Sequence, residues 1–504
     1  PMSSYLVAFA IGAYEKQSLV SASGVPIENY YYPEDRLLVE PTYRYTQRIF
    51  EFLETEIGVP YPWQNYKQVP VRDFLYAGME NTGTTLFSDA YVIDSIAFVD
   101  KNYVNVNAHE LAHQWFGNLV TEEDGNHHWL HEGFATYYAY LTEKDLFGED
   151  YFYWKLYDSF IALQKMVEGG KGQSLLDPKA SSLVFYEKGA WALHMLREQI
   201  GEKAFKAGIR SFLEQYRFKN VTVSEFLSDM ETASGVDLMG FKKEWLENEE
   251  MPTDAIRKNL MANSLSLASL FQLQESLKTA PAQNFDMEDL WEIEGSVNLK
   301  EYILTHYDSV LGPEIIKSAF ESDEIPLRRA LAIHGNAAKL PKPKFESLLN
   351  DNSYVTIENA LFQLWAAYPE LRAQYLDKTK SIVGLPNKNV RQLWLTLAVL
   401  TDGYDGPNTK NHFDELCRYT GPEYSFEVRQ IAFQFLKEAF GFTDGTLLNL
   451  VGATGHYYWQ FRDFARRLLD ELLEDEVYKQ RIVTLSNKLK PEEKRYLQTK
   501  INQP

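Results

Sequence analysis

A single cysteine, Cys417, stands among 504 residues. The chain therefore closes no disulfide within itself and cannot build a cysteine-ligated zinc site of the usual kind. Such usage is at home in a reducing compartment and predicts a cytoplasmic setting. Long apolar runs are equally lacking: none approaches the roughly 18–20 residues that a membrane-crossing helix needs. The longest candidate, Tyr5 to Ile11, reads instead as a buried strand. Positive charge is scarce, with 50 Lys and Arg against 71 Asp and Glu. A formal charge of −21 argues against nucleic acid as a partner, since phosphate binding needs clustered Lys and Arg. It suits solubility and cationic ligands such as a peptide with a free amine. No Met precedes Pro1 and no charged leader follows it, so the chain is expected to be a piece of something longer.

What is present reads as a soluble globular composition, 45% hydrophobic and 24% charged, in a chain long enough for two or three domains. Residues 1 to about 75 mix strand-like runs (Ser4 to Ile11, Lys67 to Val71) with turns. One helical pattern there, Pro41 to Ile57, is stopped by Gly58 and then Pro60 and Pro62. Residues 85 to about 250 are mostly helical, with amphipathic segments near 101–117, 129–147, 184–201 and 203–217. After Glu250-Met251-Pro252 the texture changes to a polar connection and then to helix after helix. A phrase beginning at Leu327 recurs at Ile357, Val390, Val428 and Phe461, at spacings of 30, 33, 38 and 33. Units that cannot bury their apolar face alone stack on their neighbours, which predicts an α-helical repeat domain of HEAT or armadillo type.

The stretch Asn107-Ala108-His109-Glu110-Leu111-Ala112-His113-Gln114-Trp115 carries the chemistry. On a helix His109 and His113 are one turn apart on one face, so both imidazoles reach one ion, and Glu110 beside them can face a water. With ten histidines a chance His-Glu-x-x-His is expected in roughly one such chain in a hundred. Glu132, separated from His113 by eighteen residues that include a loop, completes the set. Two His and one Glu leave tetrahedral zinc an open position, as a catalytic site requires. A metzincin would need a His at Leu119 and a Gly at Phe116, so that reading fails. His127, His128 and His131 are read as solvated or supporting groups. Glu110 is then the base for water and the acid for the leaving amine. An oxyanion donor is still wanted. Tyr186 is the candidate, although alone it is one of 32 tyrosines and would read as core.

Upstream, Ala77-Gly78-Met79-Glu80-Asn81 resembles the Gly-x-Met-Glu-Asn motif of the M1 zinc aminopeptidases, the gluzincin group that includes leukotriene A4 hydrolase and aminopeptidase N. His109 to Glu132, Trp115 to Val120 and Tyr186-Glu187-Lys188-Gly189 also match, with Ala77 in place of the usual first Gly. The opening Pro1 to Phe9 resembles the last strand of that family's N-terminal domain, most of which is lacking. This resemblance implies that Glu80, with Glu132, binds the substrate's α-ammonium. It further implies that residues 77–81 (Ala77, Gly78, Met79, Glu80 and Asn81) lie against the peptide, and that Tyr186 stabilises the oxyanion.

The expected architecture is mostly α: a remnant of the N-terminal β domain (1–20), a thermolysin-like α+β zinc peptidase domain (21–252), a helical connection (253–300) and a C-terminal α-helical repeat domain (301–504). The expected cofactor is one zinc ion per chain. The expected partners are peptides with a free N-terminus and the missing N-terminal domain, with no nucleic acid and no membrane span. The expected activity is removal of the N-terminal residue from peptides. Alternatives are a thermolysin-like endopeptidase, which has no use for the 77–81 motif, and a peptide-binding solenoid on an inactive peptidase. Nothing in the residues supports epoxide hydrolysis.

Overall fold

The helix expected over Pro41 to Ile57 forms in two pieces, broken at Arg44 and Tyr45. Its longer part, α1 (Thr46–Ile57), ends where Gly58 turns left-handed at φ 75°. These features come from a computed structural model that describes residues 2–278, 287–293 and 296–501. Pro1, and residues 279–286 and 294–295 of the expected connection, lie outside the described residues.

Strands β1 (Glu15–Val20), β2 (Pro26–Tyr31), β3 (Tyr66–Val71), β4 (Gly78–Met79) and β5 (Thr84–Ser88) make one sheet in the order β1-β2-β3-β5-β4. β1 runs antiparallel to β2, with Leu19 opposite Ile27, and β2 runs parallel to β3, with Ile27 opposite Tyr66. A parallel pair needs a crossover, and the β2–β3 connection supplies it with α1. The join is polar inside: buried Gln68 donates to Asn29 at 2.8 Å and to Thr46 at 3.1 Å, and accepts from Asn107. Each buried amide thus finds a partner, and two strands and two helices are locked in register. Among the described residues β4 pairs with β5 alone, Gly78 opposite Phe87, and so stands at the sheet edge.

Helix α2 (Val104–Ala112) starts beside an aromatic cluster. Phe87 stacks on Tyr103 at 4.1 Å, and Tyr43 meets both edge-on at 6.0 Å. Such pairs contribute roughly 0.5–1.5 kcal/mol each beyond burial. The helix is shorter than the 101–117 pattern predicts. His113 turns its Nδ1 onto the Phe116 carbonyl at 2.9 Å, which the chain reaches only by leaving the helix. Helix α3 (Trp129–Phe147) is buried from Trp129 to Glu143 on every side, so it shows little amphipathic pattern. Helices α4 (Glu149–Glu168) and α5 (Gly189–Ile200) follow, α5 preceded by a π-turn over Val184–Lys188. At Ser4 to Ile11, where alternation predicts a strand, Ser4–Leu6 form a 3₁₀ turn. Phe9 and Ile11 are 85% and 89% exposed. No described strand pairs with this stretch; its backbone bonds instead close the turn, Leu6 N–H to the Ser3 carbonyl at 3.2 Å and Val7 N–H to the Ser4 carbonyl at 3.3 Å.

The chain divides into two compact units. The first comprises Pro1–Val71, Tyr76–Phe87 and Asn102–Leu311; the second comprises Arg72–Leu75, Ser88–Lys101 and Gly312–Pro504. In the second, the recurring phrase marks alternate helices: α6 (Ile325–His334), α7 (Tyr354–Ala367), α8 (Asn389–Leu400), α9 (Phe426–Phe435) and α10 (Trp459–Glu474). Each packs on the next, and the five leading residues Leu327, Ile357, Val390, Val428 and Phe461 are all buried. Two short segments distant in sequence join this unit. Asp100 accepts from the Ser353 hydroxyl at 2.7 Å and the Val355 N–H at 3.1 Å, placing a carboxylate at the positive end of α7. Asp73 does the same for α9 through the Phe426 N–H at 2.8 Å.

Gly133 of α3 and Gly189 of α5 touch backbone to backbone. A β-carbon on Gly133 would lie 2.9 Å from the Gly189 Cα. Gly133→Ala is expected to cost about 1–3 kcal/mol of stability through overpacking, read as a lowered denaturation midpoint. A midpoint equal to that of the parent would show that the helices can separate without loss.

Candidate active site

α2 and α3 pack on each other and bring their polar groups to one point. His109 and His113 share a face of α2, and Glu132 comes from the first turn of α3. The Nε2 atoms of His109 and His113 are 3.1 Å apart, and Glu132 Oε2 is 3.2 Å from one and 3.4 Å from the other. A tetrahedral zinc with bonds of about 2.0–2.2 Å separates its ligand atoms by about 3.3 Å, so the triangle has the right size. The tautomer fits as well. His113 donates Nδ1–H to the Phe116 carbonyl, which leaves the Nε2 lone pair facing inward. Burial works against an ionised Glu132, yet His113 and His109 hold its carboxyl well below the ordinary range. Two nitrogen donors and one oxygen donor in a buried setting are the set that zinc takes.

Glu110 projects from the same helix. A β-carbon on Gly78 would collide with its carboxylate, so the edge strand approaches Glu110 only because that residue is glycine. Burial pushes the Glu110 carboxyl well above the ordinary carboxylate range; His113 opposes this, while Glu80 and Glu132 add to it. That direction suits a proton acceptor working near neutrality. Tyr186, in the middle of the π-turn, stacks its ring on His109 with centroids 5.3 Å apart and planes at 7°. Burial, then Glu132, holds its hydroxyl protonated across the working range.

Glu80 is held by its backbone. Its carbonyl accepts from Asn118 at 2.7 Å and Gln114 at 3.2 Å, while Gln114 Oε1 accepts from the Gly83 N–H at 2.8 Å. Asn81 donates to the Leu6 carbonyl at 3.1 Å. One cavity of about 600 Å³ is lined by Ala77, Gly78, Met79 and Glu80 together with the three metal donors, Glu110 and Tyr186. Three contributors carried no role in the sequence reading. Gln114 and Asn118 lie inside matched stretches, but nothing in their spacing says that they grip Glu80. Tyr5 lines the cavity and donates to Glu80 at 3.3 Å from the opening segment, whose resemblance to a strand gave that residue no role.

His131 sits beside the site without joining it, while His128 lines the cavity with its Nε2 3.7 Å from Glu132 Oε1. His131 Nε2 accepts the Glu122 N–H at 2.7 Å, so its Nδ1 carries the hydrogen and cannot ligate. His128 turns Nδ1 to both Glu122 oxygens at 3.0 and 3.1 Å. Although Glu122, His128 and His131 converge, these tautomers make a hydrogen-bonded group of them.

Residues 42–245 match the description "Peptidase family M1 domain". That match spans 204 of the 504 residues. Among curated relatives, glutamyl aminopeptidase of Bos taurus is 31% identical over 274 residues, 50% of this chain and 28% of that protein. Endoplasmic reticulum aminopeptidase 1 of Homo sapiens is 32% identical over 248 residues, 47% of this chain and 26% of that one. The chain thus spans little more than a quarter of the length of the curated relatives it matches. Among solved structures, yeast LTA4 hydrolase in complex with bestatin is 19% identical with a TM-score of 0.47, over 86% of this chain and 67% of that one. The M1 zinc metallopeptidase of Deinococcus radiodurans is 25% identical with a TM-score of 0.40, over 48% and 53%. No helix among the described residues is long and apolar enough to cross a membrane.

The donor set makes a plain prediction. His113→Ala should lose zinc by at least about tenfold in affinity, while His131→Ala retains one zinc per chain. Equilibrium dialysis with metal analysis checks both. Loss of the ion from His131→Ala at parent levels of folding would reinstate the neighbouring cluster as a ligand source.

Proposed function

We propose that the chain is a zinc-dependent aminopeptidase that removes single residues from the N-terminus of peptides. The observation carrying this is the placement of Glu80 in the same cavity as the metal donors and Glu110. When bound by His109, His113 and Glu132, zinc supplies Lewis acidity toward the scissile carbonyl and acidifies water. Glu80 anchors the substrate's α-ammonium, with Glu132 nearby adding negative potential. A cation fixed there leaves room for one residue before the carbonyl, which makes the enzyme an exopeptidase. The free edge of β4 offers Gly78 and Met79 backbone groups to an extended peptide, in the manner of an added strand. Glu110 accepts the proton of the attacking water and returns it to the departing amine. Tyr186 donates its hydroxyl hydrogen to the oxygen that gains negative charge.

Tyr5 shields one Glu80 oxygen and helps to orient the carboxylate. A reducing, cytoplasmic setting belongs to the same reading and is supported by the lone Cys417, which is half-buried.

Glu110→Gln is expected to keep its zinc and lose about 10²–10⁴-fold in kcat, measured on aminoacyl chromogenic amides. Retention of parent turnover would remove Glu110 from the mechanism. Glu80→Gln should lower kcat/KM on free-amine substrates by about 10–100-fold, the worth of a charge-assisted bond, and N-acetylated substrates should resist the parent protein. Brisk cleavage of acetylated peptides would make the enzyme an endopeptidase instead.

A further inference from the structure

Lys188 follows Tyr186 by two positions and carries an ammonium that the chemistry above leaves unused. It is 1% exposed, and a lysine is rarely so deep without a carboxylate bonded to it. Its Nζ instead donates to three backbone carbonyls: Asn248 at 2.5 Å, Gln173 at 3.0 Å and Glu250 at 3.3 Å. Three N–H donors meet three acceptors. The two loops that supply them are already joined, since the Leu246 carbonyl accepts from the Ser174 hydroxyl at 2.8 Å and the Leu175 N–H at 3.0 Å. One residue past Lys188, Gly189 meets Gly133 of α3. The end of the π-turn is therefore gripped on one side by backbone packing and on the other by a buried cation.

From this we infer that Lys188 is the positioning residue for Tyr186: its ammonium, bound to the carbonyls of Gln173, Asn248 and Glu250, fixes the π-turn and hence the place of the Tyr186 hydroxyl over the metal donors. What Tyr186 does rests on the aminopeptidase reading; how it is held rests on the geometry alone. Charge is essential to the grip. A neutral amine keeps two N–H groups and gains a lone pair, which would face a carbonyl oxygen, so one of the three fastenings turns repulsive.

Burial draws the Lys188 ammonium down to about 8, and Glu249 opposes that fall. Three neighbouring carboxylates have partners of their own. Glu187 accepts from Tyr140 at 2.6 Å, Glu247 pairs with Lys242 at 3.3 Å, and Glu132 faces His109 and His113. Since Tyr186 stays protonated in this range, its own ionisation does not intervene. The sign of the linkage separates local loosening from unfolding. The folded value lies below that of an ordinary lysine, so between the two the unfolded chain binds more protons. Through Lys188 the fold therefore loses no stability as pH rises through about 8. Activity should fall there while the melting temperature does not fall with it.

The test is a pH profile of kcat and KM on an aminoacyl amide, with thermal melts, for the full chain and two variants. The parent should lose kcat above about pH 8 with KM steady. Lys188→Met should show kcat lowered about 10–100-fold at neutral pH, the cost of a displaced catalytic group, and no further fall near pH 8. Lys188→Arg, charged throughout, should move the fall to higher pH. An identical alkaline fall in the parent and Lys188→Met overturns the inference. Should neither variant fold, carbon NMR of labelled lysine and tyrosine in the parent decides. Tyr186 ring signals that move with the Lys188 titration support the clamp, and Tyr186 signals that stay fixed sink it. If no amide is hydrolysed at any pH, the aminopeptidase reading falls while the NMR result still judges the clamp.

Discussion

Gly133 and Gly189 set a distance that no side chain could set. One follows the carboxylate donor Glu132; the other follows the turn that presents Tyr186. Their backbones meet closely enough that a β-carbon on either would have nowhere to go, so the metal donor from α3 and the hydroxyl from the π-turn are brought to one place by the absence of two methyl groups. α2 then adds His109, His113 and Glu110 from the other side. Interiors pack as tightly as crystals, and helix separation follows from what fills the seam. The chemistry therefore inherits its precision from packing, and the buried, nearly featureless surface of α3 is what makes such packing feasible.

The π-turn itself belongs to this economy of position. An extra residue in a helical turn widens it and leaves its hydrogen bonds ill-placed, which is why such turns are uncommon and gather at working sites. Here the widened turn carries Tyr186 against His109, and Lys188 at its end donates to the loop carbonyls of Gln173, Asn248 and Glu250.

Much of this could be read from the residues. The His-Glu-x-x-His spacing places its members on one helical face whatever the fold, and the structure brings Glu132 to them at bonding distances. The recurring phrase of the C-terminal region falls on alternate helices because each copy marks an apolar face that must be covered. Other features were illegible for physical reasons. The gripping of Glu80 by Gln114 and Asn118 depends on where α2 breaks, and that break follows from a bond between His113 and a backbone carbonyl. The share of residues 72–75 and 88–101 in the second unit depends on aspartates finding helix ends far along the chain. Tyr5 lies in a stretch whose resemblance to a strand says nothing of a bond to Glu80. The strand predicted over Ser4 to Ile11 failed because alternation describes a chain's capacity to pair, and pairing needs a neighbour.

The bonds that hold Glu80 run to Gln114 and Asn118, in the short stretch that follows α2 directly after the two imidazoles. Gln114 and Asn118 tie the proposed amine anchor to the imidazole pair through a few residues of chain, like the fixed jaws of a caliper. Breathing of the surrounding chain would carry both jaws together and leave their gap unchanged. The proposed selection for one residue at a time would in that sense be written into one helix end and the few residues after it, and it would persist through whatever motion admits and releases a peptide.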